Sequence, residues 1–480
     1  MIIFYLKEAY EDNYKKKRKV GRIMGFKKDF IWGAATASYQ VEGAAYKDGK
    51  GLNIWDVYCK QPGNVFEDQN GDVACNQYEL YKEDVQLMKE LNIKAYRFSI
   101  NWARIIPEGT TAFGGTVNEA GIDYYNRLID ELIANGIEPF ITLYHWDLPY
   151  ELQVKGGWLN DQIVDWFAEY ATLIAKRFGD RVKNYFTVNE PEVFLGLGYR
   201  EGTHAPGLKL GDREFMRCVH NMLKAHGAAV RALRANCPQP VKIGMAPTGA
   251  FCYPETESPE DIAAAKEAMF AMDKNPTGAI WNFALVCDPV MLGHYPDSAI
   301  ENFKDVMPEI TEEDMKLISE PVDFFGFNLY NGVMTKMGKD GKPERVKRYD
   351  GFPKTAIQWP VTPEAIRWAT KFLYERYGKP IYITENGMSC HDWVALDGKV
   401  HDPNRIDFYH RYLIELKKSA EEGTDIEGYF AWSLMDNFEW TNGYHDRFGI
   451  IYVDYPTQKR IVKDSGYWYR DMIAENGENL

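Results

Sequence analysis

The chain predicts the α/β class and a single (β/α)8 barrel with long strand-to-helix loops. Three observations carry this. Eight short, solidly apolar runs are spread along 480 residues. Helical patterns stand between them, several closed by glycine. No sequence repeat or low-complexity tract interrupts the alternation. Short runs without polar alternation suit strands covered on both faces, as in parallel sheets. Eight alternations favour one closed barrel over a doubly wound sheet with two lobes.

In order, the strand candidates are 30–35 (FIWGAA), 93–100 (IKAYRFSI), 138–144 (EPFITLY) and 185–188 (YFTV). The second half follows with 241–246 (VKIGMA), 323–327 (DFFGF), 380–384 (PIYIT) and 428–434 (GYFAWSL). Between the first two, 76–92 places Tyr78, Tyr81, Val85, Met88 and Leu91 at three- and four-residue steps, the period of an amphipathic helix. A helix over 122–135 stops at Asn135-Gly136, and one over 162–178 stops at Gly179. The same helix-then-glycine signal recurs at 372–378. The longer gaps near 196–220, 251–320 and 330–365 are read as loop insertions. Patterning starts at Phe26. Residues 1–25 therefore read as a tail-like extension, and 26–480 as one barrel domain.

Composition narrows the function. At 45% hydrophobic, the chain can bury a large core. A formal net charge of −14 disfavours phosphate backbones and anionic membranes, so no nucleic-acid or membrane partner is expected. The KKKRK run near the N-terminus is read as part of a solvated tail. Seven cysteines without a CxxC pair fit buried reduced thiols. No apolar run spans a bilayer. At the N-terminus the basic cluster follows the apolar run instead of preceding it, the wrong order for a signal peptide. No metal-ligand spacing and no phosphate loop stand out, so neither metal nor cofactor is expected. The 13 Trp, 31 Tyr and 25 Phe are partly core, but they also suit a flat apolar ligand.

Catalytic groups of such barrels sit at the C-terminal ends of the strands. There the sequence places Gln40, Arg97, His145-Trp146, Asn189-Glu190, Asn328 with Tyr330, Glu385, and Trp432 followed by Glu439-Trp440. Amides, imidazole and carboxylates match sugar hydroxyls, and tryptophans match the apolar faces of the ring. Glycosidic cleavage usually needs two carboxyl groups flanking the bond. Taken singly, Glu190 could be a helix N-terminal carboxylate and Glu385 ordinary turn chemistry. Their pairing argues against both. Arg97 in an apolar strand needs a partner in any case.

The motifs FIWGAATASYQVEG, YRFSINWARIIPEG, LYHWDLP, FTVNEP, GTHAPG, FFGFNLY, YITENG, FAWSLMDNFEW and RFGIIYVDY occur in this order over nearly the whole chain. Together they resemble glycoside hydrolase family 1, the β-glucosidase family. The resemblance implies a retaining exo-β-glucosidase acting on short β-linked oligosaccharides or aryl and alkyl glucosides, without a cofactor. Glu190 would be the general acid/base and Glu385 the nucleophile, with Arg97, Tyr330 and Asn328 beside it. Gln40, His145, Trp146, Asn189, Glu439, Trp440 and Phe448 would bind the sugar over a floor of Trp432. Trp359 would lie on the leaving-group side. The scheme implies carboxyl groups roughly 5–5.5 Å apart. Glu385 is expected ionised beside Arg97, and Glu190 is expected to keep its proton through partial burial and the Glu385 charge. A 6-phosphoglycosidase fits less well, because NFEW at 437–440 is intact and Glu439 would repel a phosphate. A thioglucosidase would lack Glu190, and a non-catalytic binding protein would have lost one carboxylate. The one small departure in these motifs is Leu329, where tyrosine is frequent. His204, His226 and Trp32, Trp55, Trp102, Trp158 and Trp166 are read as structural. The absence of a targeting signal in this reading leads to a cytoplasmic enzyme.

Overall fold

The computed structural model describes residues 25–480. All eight apolar runs form strands of one parallel sheet. The strands are β1 (Ile31–Ala35), β2 (Ala95–Ser99), β3 (Glu138–Tyr144), β4 (Asn184–Asn189), β5 (Lys242–Ala246), β6 (Phe325–Asn328), β7 (Ile381–Asn386) and β8 (Ile426–Trp432). Their spatial order is β5-β4-β3-β2-β1-β8-β7-β6. The two end strands meet. Asp323 N donates to Ile243 O at 2.8 Å, Ile243 N donates to the Asp323 carboxylate at 2.7 Å, and Asn328 N donates to Pro247 O at 3.0 Å. These bonds bridge the last seam of the barrel.

Helices alternate with the strands: α1 (Gln77–Glu90), α2 (Glu119–Ala134), α3 (Ile163–Phe178), α4 (Asp212–Asn236), α5 (Glu312–Ile318), α6 (Glu364–Tyr377), α7 (Pro403–Glu421) and α8 (Asp464–Ala474). In α1, Tyr78, Tyr81, Val85 and Met88 are buried, as the spacing requires. α6 stops at Gly378, whose φ of 64° is left-handed and open to glycine at no steric cost. The long gaps carry the extra elements, including a three-stranded sheet of Cys252–Pro254, Val333–Met337 and Pro343–Arg345.

The barrel interior is filled by rings from different strands. Phe140 meets Phe430 at 5.1 Å and Phe186 at 6.3 Å, and Phe324 meets Phe186 at 5.2 Å and Tyr382 at 5.0 Å. Gly33 and Gly244 make room for Phe430 and Phe324, where any Cβ would overlap the ring. Arg97 lies over this plug, 5.0 Å above the Phe186 ring. The floor is therefore apolar and filled by rings, and polar side chains can gather only at the upper rim.

The structure moves some boundaries. Strands β4 and β7 run on through Asn189 and through Glu385-Asn386, residues that the sequence placed beyond the strand ends. Within the 196–220 gap, helix α4 already begins at Asp212. Of the expected tail, residues 1–24 lie outside the described residues. Gly25 belongs with the barrel, since its N donates to Glu421 at 3.1 Å.

Candidate active site

Local sequence explains how each carboxylate reaches the rim. Pro191 has no N–H for a ladder and is preorganised for a first helical turn, so β4 stops and the short helix Pro191–Leu195 begins. Glu190 takes the junction with a φ of 42°, rare for a side chain with a Cβ, and its N donates to Ala246 O at 2.8 Å. Glu385 is turned differently. Strand β7 shifts register against β6 between Ile383 and Glu385, and against β8 between Ile383 and Asn386. Such irregularities re-aim a side chain. Trp146 (φ 75°) and Trp440 (φ 49°) are left-handed as well, so three of the residues singled out by sequence carry backbone strain.

Hydrogen bonds join the two carboxylates through one buried lattice. Arg97 Nη1 donates to Glu385 Oε1 at 2.7 Å, and Tyr330 donates its phenol to Glu385 Oε2 at 2.8 Å. Arg97 Nη2 donates to Asn189 Oδ1 at 2.6 Å, and its Nε to Thr142 at 3.1 Å. Asn328 Nδ2 donates to Glu190 Oε1 at 2.9 Å and to Asn189 Oδ1 at 3.1 Å. Thr384 fixes the Asn328 amide from the other side at 2.5 Å. Leu329, the departure from the motif, keeps its backbone bond to the Glu385 strand. It is fully buried, and its N donates to Glu385 O at 2.9 Å.

The two carboxyls are nearly alike in burial, 7% and 3% exposed, but not in company. Burial raises both above the usual carboxylate range. For Glu385, the Arg97 charge and the bonds from Arg97 and Tyr330 pull back down. For Glu190, the Glu385 charge pushes further up, against little more than the Asn328 amide. Arg97 favours the ionised form of Glu385, in the direction expected from sequence, although burial outweighs it. It makes Glu385 the easier of the two to ionise, and the shared proton belongs on Glu190.

Around this pair the structure gathers all the other residues singled out by sequence. The His145 ring stacks near Trp432 at 5.8 Å and Trp440 at 5.9 Å. Its Nε2 faces Asn189 Nδ2 at 3.1 Å, while burial and the Arg97 charge hold it neutral by pushing its pKa well down. Trp146 packs on Trp440 at 4.4 Å and donates to Asn189 O at 3.0 Å. Tyr330, Trp359 and Phe448 form a three-ring wall with centroids 4.9 to 6.0 Å apart. Gln40 donates to Asn437 at 3.0 Å and to Phe438 O at 2.8 Å.

Some neighbours were missed. Asn437 clamps Gln40 across 397 residues of chain. Asp446 is buried beside Glu439, and with Glu385 its charge adds to burial in pushing Glu439 up to about 8. His204, set aside as structural, lies against Trp55 at 5.5 Å and Trp146 at 6.1 Å. In sequence Asp446 is an ordinary polar loop residue, while His204 and Asn437 stand inside the GTHAPG and FAWSLMDNFEW motifs with no local signal for these contacts. The structural assignment of Trp32, Trp55, Trp102, Trp158 and Trp166 agrees with their burial. Among the described residues no group of His, Cys, Asp and Glu is arranged to hold a metal ion.

A (β/α)8 barrel with two neighbouring buried carboxyls, amide and imidazole side chains and a tryptophan lining at its C-terminal rim is the architecture of a glycoside hydrolase. The chain belongs to glycosyl hydrolase family 1, whose model matches residues 23–478. It is 47% identical to beta-glucosidase A of Thermotoga maritima over 95% of this chain and 99% of that one. It is 44% identical to beta-glucosidase A of Acetivibrio thermocellus over 94% and 99%. The solved Thermotoga maritima beta-glucosidase in complex with castanospermine superimposes with a TM-score of 0.85 at 46% identity, covering 95% of this chain and 99% of that one.

Proposed function

We propose that this chain is a retaining exo-β-glucosidase. It removes terminal non-reducing β-D-glucosyl residues from short oligosaccharides and from aryl or alkyl glucosides. The observation that carries this is the asymmetry of the two buried carboxyls, one held by Arg97 and Tyr330, the other by an amide alone. The names of the relatives support the glucoside preference, as does the binding of castanospermine and deoxynojirimycin by the Thermotoga maritima enzyme. That enzyme has also been solved with galacto-hydroximolactam, which supports a β-galactoside side activity here.

The reaction divides into two displacements. A Glu385 oxygen attacks the anomeric carbon while Glu190 gives its proton to the departing glycosidic oxygen. The C–O bond breaks, the aglycone leaves as an alcohol, and the sugar is held as an ester of Glu385. Glu385 is then neutral, so the charge that raised Glu190 is gone. Glu190, now a carboxylate, accepts a proton from water, which attacks the anomeric carbon and releases Glu385. Gln40, His145, Trp146, Asn189, Glu439, Trp440 and Phe448 bind the glycone over Trp432. Trp359 takes the leaving-group side. Asn328 holds Glu190 and orients the acid.

The test is release of p-nitrophenol from its β-glucoside by wild type, Glu385→Gly and Glu190→Gln, with azide added to the variants. Wild type should turn over and both variants should collapse. Azide should restore Glu385→Gly with an α-glycosyl azide product, and Glu190→Gln with a β-glycosyl azide. Variants of near-full activity would overturn the two-carboxyl scheme. A wild type inert on glucoside but active on 6-phosphoglucoside would overturn the substrate. No helix among the described residues is long and apolar enough to cross a membrane. We place the enzyme in the cytoplasm, and activity recovered mainly from culture medium would reject that.

A further inference from the structure

Away from the carboxyls, a cavity of about 500 Å3 opens between the three-stranded sheet and the loop that follows it. This volume lies within the usual range for small-ligand sites, about 300–1,000 Å3. Its walls are mostly apolar or aromatic: Tyr253, Met334, Val346, Tyr349 and Phe352. Tyr349 and Phe352 have ring centroids 5.1 Å apart, and Tyr349 is left 66% exposed. Two cations, Lys347 and Arg348, and one acid, Asp350, complete the lining.

The charge here is unlike that of the rest of the molecule. The chain carries a net charge of −14, and most of its arginines are paired with carboxylates. Arg348 is half-buried, yet among the described residues neither it, Arg345 nor Lys347 has a carboxylate within 4.0 Å. Arg348 spends one amino group on Gly332 O at 2.8 Å and lies 5.7 Å from the Phe352 ring. Burial and the neighbouring Arg345 charge both push its guanidinium down. Half-buried cations without counter-ions are costly, and an anion would relieve this one.

We infer that this cavity is a binding site for a small aromatic acid, its ring against Tyr349 and Phe352 and its carboxylate on Arg348 and Lys347. Such an acid can come from two sources: free in solution, or as the leaving group of an acidic aryl glucoside. The loop from 346 onward also carries Trp359, and Arg348 holds the carbonyl of Gly332, two residues from Tyr330. The cavity is thus tied through Gly332 and the 346–359 loop to the segments that carry Tyr330 and Trp359. The leaving-group source rests on the glucosidase reading, while binding of the free acid does not.

The experiment is calorimetric titration of the full chain with 4-hydroxybenzoate, with benzyl alcohol as the neutral ring, repeated with deoxynojirimycin present. We expect 4-hydroxybenzoate to bind with or without the inhibitor, and benzyl alcohol to bind weakly or not at all. Arg348→Gln should weaken binding by about ten-fold or more, the usual worth of a charged hydrogen bond. Lys347→Gln, an exposed change that leaves Gly332 held, should weaken it less. Absence of binding, equal binding of benzyl alcohol, or affinity unchanged in both variants would overturn the inference. The source is read from kcat/KM on 4-carboxyphenyl against phenyl β-glucoside. A ratio that falls in Arg348→Gln assigns the leaving group as ligand. An unchanged ratio, where wild type binds 4-hydroxybenzoate and Arg348→Gln weakens that binding, assigns the free acid.

Discussion

Two corners of this site, only a few residues apart, obey opposite rules. Around Glu385 and Glu190, the polar side chains that hold the pair have their partners inside the protein: Arg97 has four, and Asn189 and Asn328 bond each other and both neighbours. At the glycone end, buried atoms go without. Gln40 Oε1, His145 Nδ1, Glu439 Oε2 and Asp446 Oδ1 have no hydrogen-bond partner. Each unmet buried group costs about 1–3 kcal/mol. The first corner must hold charge steady through a reaction, so the protein supplies its own dipoles in advance. On the proposed function, the second would receive sugar hydroxyls at its unpaired donors and acceptors. The difference would then be between groups that serve the fold and the reaction together and groups that serve the substrate at the expense of the fold.

The largest effect should come from Arg97→Met. It strips Glu385, Asn189 and Thr142 of their partner at once and leaves a buried carboxyl unpaired. We expect kcat/KM on p-nitrophenyl β-glucoside to fall by about 10²–10³, together with a lower Tm. The pH profile should move as well. Without the guanidinium the neutral form of Glu385 is favoured further, so the acidic limb of kcat/KM shifts to higher pH. A loss of activity with Tm unchanged would mean that Arg97 serves the reaction alone, and the comparison would fail at this corner.

Glu439→Leu should do the converse. Binding should suffer, with kcat/KM lower by about 10–100-fold, the worth of one or two charged hydrogen bonds. Stability should not. Burial pushes this carboxyl up to about 8, and Oε2 has nothing to bond, so leucine removes a cost. Tm at pH 7 should stay level or rise. A Tm drop comparable to that of Arg97→Met would show that the glycone end is also part of the fold's support.

The two corners were not equally legible in sequence. The eight strands could be read because burial on both faces writes itself as unbroken apolar runs such as FITLY and YFTV. An arginine inside such a run, or a carboxylate at its end, is conspicuous, so Arg97, Glu190 and Glu385 stood out. The turns that aim them did not. The left-handed φ of Glu190 and the register shift before Glu385 depend on neighbours in β5, β6 and β8. Asp446, and Asn437 as the partner of Gln40, were silent for another reason. An Asn or Asp in a polar loop is ordinary, and each acquires meaning only when distant segments meet, as Gln40 and Asn437 do.

The smallest effect tests the boundary between the corners. Glu192 follows the acid by two residues, lies fully buried, and accepts one bond, from Thr248 N at 3.1 Å, while its Oε1 is unpartnered. It sits in the satisfied corner but behaves like the other one. Burial pushes it up to about 8, against about 4.3 in an unfolded chain. The folded state therefore keeps this proton where the unfolded state has lost it. The stability it contributes is complete below about pH 4.3 and declines as pH rises toward 8. Glu192→Gln cannot ionise and should lose that slope. Its Tm, at one scan rate, should match wild type near pH 4.5 and exceed it by up to about 5 °C near pH 8. Because the Glu192 charge also raises Glu190, the alkaline limb of activity in the variant should begin at slightly lower pH. Superimposable Tm curves would mean that Glu192 finds a partner in solution, and the satisfied corner would then extend one side chain further, to Glu192 itself.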